Sequence, residues 1–271
     1  MDFNDSQQEA AFRKEARDFL EANAEKRSII SDKPNDKSPQ IAVAGAPETV
    51  KGGKEAAQEA LERAKVWQKK KAEAGFAAIL WPKEFGGYGG SPIQQVIYSQ
   101  EEHDYLVPSG YFEIGIGMLG PTMMVWGKDE DKKRYLPKMI TGEEIWCQLF
   151  SEPSAGSDLA GIKMKAEKDG DEWVLNGQKV WTSGAHFADY GMIVARSDPS
   201  ALKHKGLTYF YLDMKTPGIE VRPIKQISGT SNFNEVFFND VRIPDSQRLG
   251  GEGEGWKLSL IHISEPTRLR S

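Results

Sequence analysis

Trp173-Val174-Leu175-Asn176-Gly177-Gln178-Lys179-Val180-Trp181 sets an Asn-Gly pair between two β-prone runs. Asn and Gly both tolerate the positive φ that a two-residue hairpin turn needs, so the stretch predicts a hairpin turning at Asn176-Gly177. Outward from it, Tyr190 to Ala195, Leu207 to Met214, Ile219 to Ile224 and Glu235 to Ile243 read as further strands. Upstream of Gly142 the pattern is helical. Ser6 with Glu9 forms a capping-box signature, and Phe12, Ala16, Phe19 and Leu20 share one helix face. Ala56 to Ala74 is a helix-forming run stopped by Gly75. Residues 28–54 read as a polar surface connection. Pro121 suits a first helical turn, and Asp129 to Leu136 a short helix with acids first. Helices followed by a block of strands predict an α+β chain with two segregated regions.

The chain has 271 residues, a length suited to about two domains. Its 35 basic and 40 acidic residues leave a net charge of −5, which offers no basic face for nucleic acid. The one dense basic run, Lys69-Lys70-Lys71, lies among Glu62, Arg63, Lys65 and Glu73 and reads as a solvated helix face. The single cysteine, Cys147, can make no internal disulfide and no cysteine-rich zinc site. Its apolar neighbours predict a buried, inert thiol in a reducing, cytoplasmic setting. No run approaches 18 apolar residues, so no membrane span is expected, and the N-terminus lacks the regions of a signal peptide.

Gly115-Ile116-Gly117-Met118-Leu119-Gly120 satisfies a dinucleotide fingerprint in letters. No strand precedes it, and a Gly-containing helix junction is the better reading. Phosphate-loop and nucleophile-elbow motifs are absent, and His103, His186 and His204 lack metal-ligand spacing. Two segments stand apart from plain core. In Gln148-Leu149-Phe150-Ser151-Glu152-Pro153-Ser154-Ala155-Gly156-Ser157-Asp158 an apolar strand breaks into a turn of small and hydroxyl residues, a cradle for carbonyl or anionic oxygens. In Trp181-Thr182-Ser183-Gly184 a strand leads into a second small turn beside an indole able to flank a flat heterocycle. The tail from Leu258 to Arg268 resembles the in-frame translation of a sequencing-library adapter, so residues 258–271 are expected to be non-native.

As an ordered set these segments resemble the acyl-CoA dehydrogenase family from Met1 to about Lys257. The set also includes Trp81-Pro82 with Phe85-Gly86-Gly87, Leu136-Pro137-Lys138, Gly142-Glu143 and Asp240-Val241-Arg242-Ile243-Pro244. The resemblance implies an N-terminal helical domain over residues 1–143 and a middle β-barrel-like domain over residues 144–257. The family's C-terminal four-helix domain is not contained in the sequence. It implies FAD as cofactor and oxidation of an acyl-CoA thioester to the 2,3-enoyl-CoA, by α-proton abstraction and β-hydride transfer to flavin N5. Electron-transfer flavoprotein is the implied electron acceptor, and the complete protein an implied homo- or hetero-oligomer. By the same resemblance Gln148, Leu149, Phe150, Ser151, Gly156, Ser157, Trp181, Thr182 and Ser183 hold the cofactor, and Ser157 also meets the substrate. Met164 stands where many members have Thr. The family's catalytic base lies in the C-terminal domain, so no catalytic residue is assigned, Glu152 included. An acyl-CoA oxidase, a flavin monooxygenase on the same fold, or a non-catalytic subunit are the alternatives.

Overall fold

The structure, a computed structural model, describes residues 4–27, 53–227 and 229–260. The connection read over residues 28–54 falls outside them except for its last two residues, which already belong to a helix; the tail beyond Leu260 also falls outside. The described chain forms two compact units.

The first unit runs to Ser109 and takes back Ile140–Glu143. Helix α1 (Gln7–Asn23) starts on the expected capping box: Ser6 Oγ accepts from the Glu9 N–H, and Glu9 accepts from the Ser6 N–H. A two-residue strand β1 (Glu25–Lys26) follows, then α2 (Gly53–Glu73), α3 (Pro92–His103) and β2 (Tyr105–Leu106), which pairs with β1. Phe12, Ala16 and Leu20 of α1 pack with Trp67, Phe76, Ile97 and Tyr98. Phe76 stacks on Tyr98 with ring centroids 5.0 Å apart. Glu101 on α3 collects the guanidinium groups of Arg13 and Arg17, which hold its carboxyl below the usual range and tie α3 to α1.

The second unit holds Gly110–Met139 together with everything described from Glu144 on. A π turn over Gly115–Leu119 leads into α4 (Gly120–Trp126), so the apparent dinucleotide motif is a helix junction. Helix α5 (Asp129–Thr141) runs on past Pro137, beyond the expected end at Leu136. The strands follow: β3 (Trp146–Leu149), β4 (Lys165–Asp169), β5 (Glu172–Ser183), β6 (Tyr190–Arg196), β7 (Leu207–Asp213), β8 (Ile219–Pro223), β9 (Phe233–Pro244) and β10 (Arg248–Leu249), then a short α6 (Gly255–Ser259). They form one mixed sheet in the order β10-β7-β6-β4-β5-β9-β8, with β3 parallel to β6. Leu258, assigned to the tail by sequence, is buried in α6 beside Gly250.

One face of the sheet buries Cys147, Leu149, Trp173, Leu175, Ile193, Phe210, Leu212, Val236, Phe238, Val241 and Ile243. Burial pushes the Cys147 thiol up to about 12, as the expected inert thiol requires. β6 and β7 are buried on both faces. Their second face carries Tyr190 and Tyr211, which meet Tyr135 of α5 edge-on at 5.2 and 5.3 Å. Tyr211 donates to Asp131 at 2.9 Å. A sheet covered on both faces needs a second apolar layer, and Gly110–Met139 supply part of it.

The hairpin expected at Asn176-Gly177 is not there. β5 runs straight through, and the turn into it is Gly170-Asp171, closed by the pair Asp169↔Glu172. The Asn-Gly pair serves a β-bulge instead. Leu175 faces Val241 and Gly177 faces Phe238, so β9 carries one extra residue at Asn239-Asp240, with Asp240 at φ 50°. Asn176 patches the gap: Nδ2 donates to Asp240 Oδ1 at 3.0 Å, and Oδ1 accepts from the Asp240 N–H at 2.9 Å. Gly177 is needed because a Cβ there would come within 2.8 Å of the Met164 side chain. A second bulge follows. Lys179 faces Val236 but Thr182 faces Asn234, so here the extra residue belongs to β5.

Candidate functional site

The second bulge decides where the indole goes. Along β5 the inward positions are Trp173, Leu175 and Lys179, and strict alternation would send Trp181 inward as well. The extra residue reverses the alternation. Trp181 takes φ 58°, a left-handed conformation that a bulky side chain adopts only at a cost, and the residue is 58% exposed. It makes an edge contact with Phe233, ring centroids 6.1 Å apart.

Thr182 then takes the inward place. Its side chain is enclosed, and its hydroxyl has no hydrogen-bond partner among the described residues. Leu149 is likewise in the core. With their side chains turned inward, Leu149 and Thr182 present only their main chains to the outside of the sheet, the mode of contact expected for Gln148–Ser151. Gln148, Phe150, Ser151 and Ser183 are half-buried, while Gly156 and Ser157 are exposed. A Cβ built on Gly156 meets nothing within 4 Å, so the backbone there is open to close approach.

The two bends are fastened to each other. The Val180 N–H donates to the Ser151 carbonyl at 2.9 Å. The Lys179 ammonium, fully buried, donates to the Phe150 carbonyl and to Glu152 Oε1, each at 2.9 Å. Burial drags that ammonium down to about 8, with the Glu152 charge pulling the other way. Glu152 also accepts the N–H groups of Lys163 and Met164 at 2.7 and 3.0 Å. A carboxylate engaged by three donors is not a free general base, in keeping with the unassigned Glu152.

Behind the second bend, buried Asn234 donates to the Thr182 carbonyl at 2.9 Å, and its Oδ1 lies 3.1 Å from His186 Nδ1. With the amide N–H committed, Oδ1 must accept, which places the imidazole proton on Nδ1. Sequence reasoning missed Glu152, Lys179 and Asn234 as supports. One signal was available: Lys179 is a charge at an inward position of an alternating strand.

The donor set fits an isoalloxazine system. An exposed flat ring can give apolar cover, and Ser151, Ser157, Ser183 and the amide of Gln148 are polar groups at or next to the two bends that are not fully buried. Among the described residues no group of three or more His, Cys, Asp or Glu is arranged to hold a metal ion.

The profile of the acyl-CoA dehydrogenase N-terminal domain matches residues 45–143, and that of the middle domain residues 147–241. The chain belongs to the acyl-CoA dehydrogenase family, whose members are FAD-dependent flavoproteins. It is 41% identical over 213 residues to acyl-CoA dehydrogenase IpdE1 of Mycobacterium tuberculosis, a match covering 79% of this chain and 55% of that protein. Among solved structures it resembles the Tcur3481-Tcur3483 steroid ACAD, with TM-score 0.74, 30% identity and coverage of 97% of this chain and 62% of that one. It also resembles the ChsE4-ChsE5 complex from Mycobacterium tuberculosis, with TM-score 0.71, 30% identity, and 97% and 61% coverage. The chain therefore spans about half the length of the curated relatives it matches.

Proposed function

We propose that the complete protein oxidises an acyl-CoA thioester to its 2,3-enoyl-CoA with FAD, and that this chain provides one wall of the flavin site. The observation that supports this most is the pinned pair of bends, Ser151–Ser157 and Trp181–Ser183, with the indole turned out of the core between a bulge and a small-residue turn. When bound, FAD supplies the acceptor for the β-hydride. The chain's own residues would do the holding. Main-chain groups at Gln148–Ser151 and the Ser151 hydroxyl face the polar side of the ring. Trp181 covers it and sheds water, and Ser157 meets both cofactor and thioester. Preorganised donors of this kind are worth most where charge builds up in a dry site. No residue of this chain is assigned as the base that removes the α-proton.

The activity is tested anaerobically on the complete protein. An acyl-CoA should bleach the flavin and yield enoyl-CoA, with slow reoxidation by oxygen and fast reoxidation by an electron-transfer flavoprotein. Rapid reoxidation with peroxide release would make it an oxidase instead, and no bleaching by any acyl-CoA would leave a non-catalytic subunit. Comparing a steroid-type with a straight-chain acyl-CoA addresses the substrate class, for which the steroid ACAD is the guide. Ser157→Ala should raise the acyl-CoA or FAD dissociation constant about tenfold, about 1.4 kcal/mol. Unchanged binding of both removes Ser157 from the site.

The 271-residue chain alone should hold FAD weakly, with a dissociation constant of about 10 μM or above, since one wall buries only part of the ring. Purification as a stoichiometric yellow protein contradicts this. A cytoplasmic location and a homo- or hetero-oligomeric complete protein belong to the same reading. No described helix is long and apolar enough to cross a membrane, and the ChsE4-ChsE5 complex is a precedent for a hetero-oligomer.

A further inference from the structure

We infer that Glu152 and Lys179 are a positioning pair whose task is to hold the two flavin-facing bends at a fixed spacing, and that the fold itself does not depend on them. The inference rests on the flavin reading above and deepens it. Four stretches of chain converge on this one pair. From the exit of β3, the Phe150 carbonyl is drawn inward onto the Lys179 ammonium. From the turn, Glu152 itself closes on Ala155 through two main-chain hydrogen bonds of 3.0 Å. From the entry to β4, the N–H groups of Lys163 and Met164 end on the carboxylate. From β5, Lys179 sits two residues before Trp181, and its neighbour Val180 donates to the Ser151 carbonyl.

The physical argument concerns what such a pair is good for. Lys179 is fully buried, and the Glu152 side chain is 6% exposed. Removing two charges from water is expensive, and a buried pair commonly stabilises a fold no better than apolar residues of the same volume. Its distinctive property is direction. A carboxylate with three donors and an ammonium with two acceptors have few arrangements that satisfy all of them, whereas packed methylenes have many. The elements joined here are both bends and the strand that carries the indole. With the pair replaced by apolar side chains, the Phe150 carbonyl and the N–H groups of Lys163 and Met164 would lose their partners. The Ser151–Ser157 bend would then be free to drift from the Trp181 bulge. Every other described ion pair in this unit has at least one partner that is more than one-fifth exposed, so this clamp is the interior one among the described residues.

The test uses this chain as it stands, in three forms: the parent, the double variant Glu152→Leu/Lys179→Met, and Glu152→Gln. Thermal melting, amide hydrogen exchange resolved to peptides 150–157 and 180–185, and titration with FAD are read on each. The double variant, which leaves one carbonyl and two N–H groups without these partners, should still melt cooperatively, roughly ten degrees below the parent. Exchange at both bends should rise about tenfold or more, and FAD affinity should fall about tenfold. Exchange unchanged at the bends overturns the inference. Exchange raised with FAD affinity unchanged also overturns it, since the bends would then receive the flavin without a fixed spacing. If the double variant fails to fold, the pair is structural and the inference falls, unless Glu152→Gln folds and shows loosened bends with weakened FAD binding. A complete protein that takes up no FAD refutes the flavin reading separately, and the exchange comparison on this chain still decides whether the pair holds the bends.

Discussion

Trp173→Ala should cost the β-rich unit about 3–5 kcal/mol, a large share of the stability of an ordinary domain. The indole is 1% exposed and stands edge-on to Phe210 at 5.2 Å. Its N–H donates to Asp245 Oδ1 at 2.6 Å, and the Lys168 ammonium lies over the ring at 5.5 Å. Truncation removes the largest fully buried side chain of the sheet and opens a cavity between β5 and β7. It also strips a donor from Asp245, whose carboxyl is held well below the usual range by Arg248 first and Trp173 second. Trp173→Phe keeps most of the packing and loses only the hydrogen bond, so it should cost about 1–3 kcal/mol. Urea unfolding of both variants checks the pair. A loss under 1 kcal/mol for Trp173→Ala would mean the sheet collapses onto the vacancy.

The two tryptophans at the ends of β5 should behave in opposite ways. Trp181→Gly is expected to leave stability within about 1 kcal/mol of the parent, because relief of a left-handed non-glycine conformation offsets the added chain entropy of glycine. The same change should lower the FAD affinity of the complete protein at least about tenfold, since one face of the ring loses its cover. Thermal melting of this chain and a FAD titration of the complete protein read the two effects. If melting drops sharply while FAD binding holds, the exposed indole is a structural element and its place in the site is wrong.

Much of the fold was legible because its causes are local. Ser6 and Glu9 announce the start of α1, and Phe12, Ala16 and Leu20 its buried face, through spacing alone. β6 and β7 are mainly apolar runs of the right length, and β8 alternates apolar with charged residues. The Asn176-Gly177 pair misled because a hairpin turn and a bulge ask for the same backbone freedom. What separates them is non-local, namely the approach of Met164 to Gly177 and the extra residue at Asp240. The same limit applies to the site. Which of Trp181 and Thr182 faces inward can be assigned only when the inserted residue is known, and no letter in β5 marks it. Lys179 was the visible anomaly, but its partners lie in segments separated from it by more than twenty residues.

The two inserted residues in the β5–β9 ladder are equal and opposite. Leu175↔Val241 and Thr182↔Asn234 share one alignment, while Gly177↔Phe238 and Lys179↔Val236, between them, are offset by one. The middle of the ladder is thus a frameshift that corrects itself. Val241 and Ile243 on one side, and Val236 and Phe238 on the other, reach the same core although their numbers differ in parity. A single-residue deletion in either strand would leave the frame uncorrected and exchange core for solvent along half of the ladder. Loss of one residue from each strand would restore it. The hydrophobic interior therefore tolerates length changes here only in matched pairs.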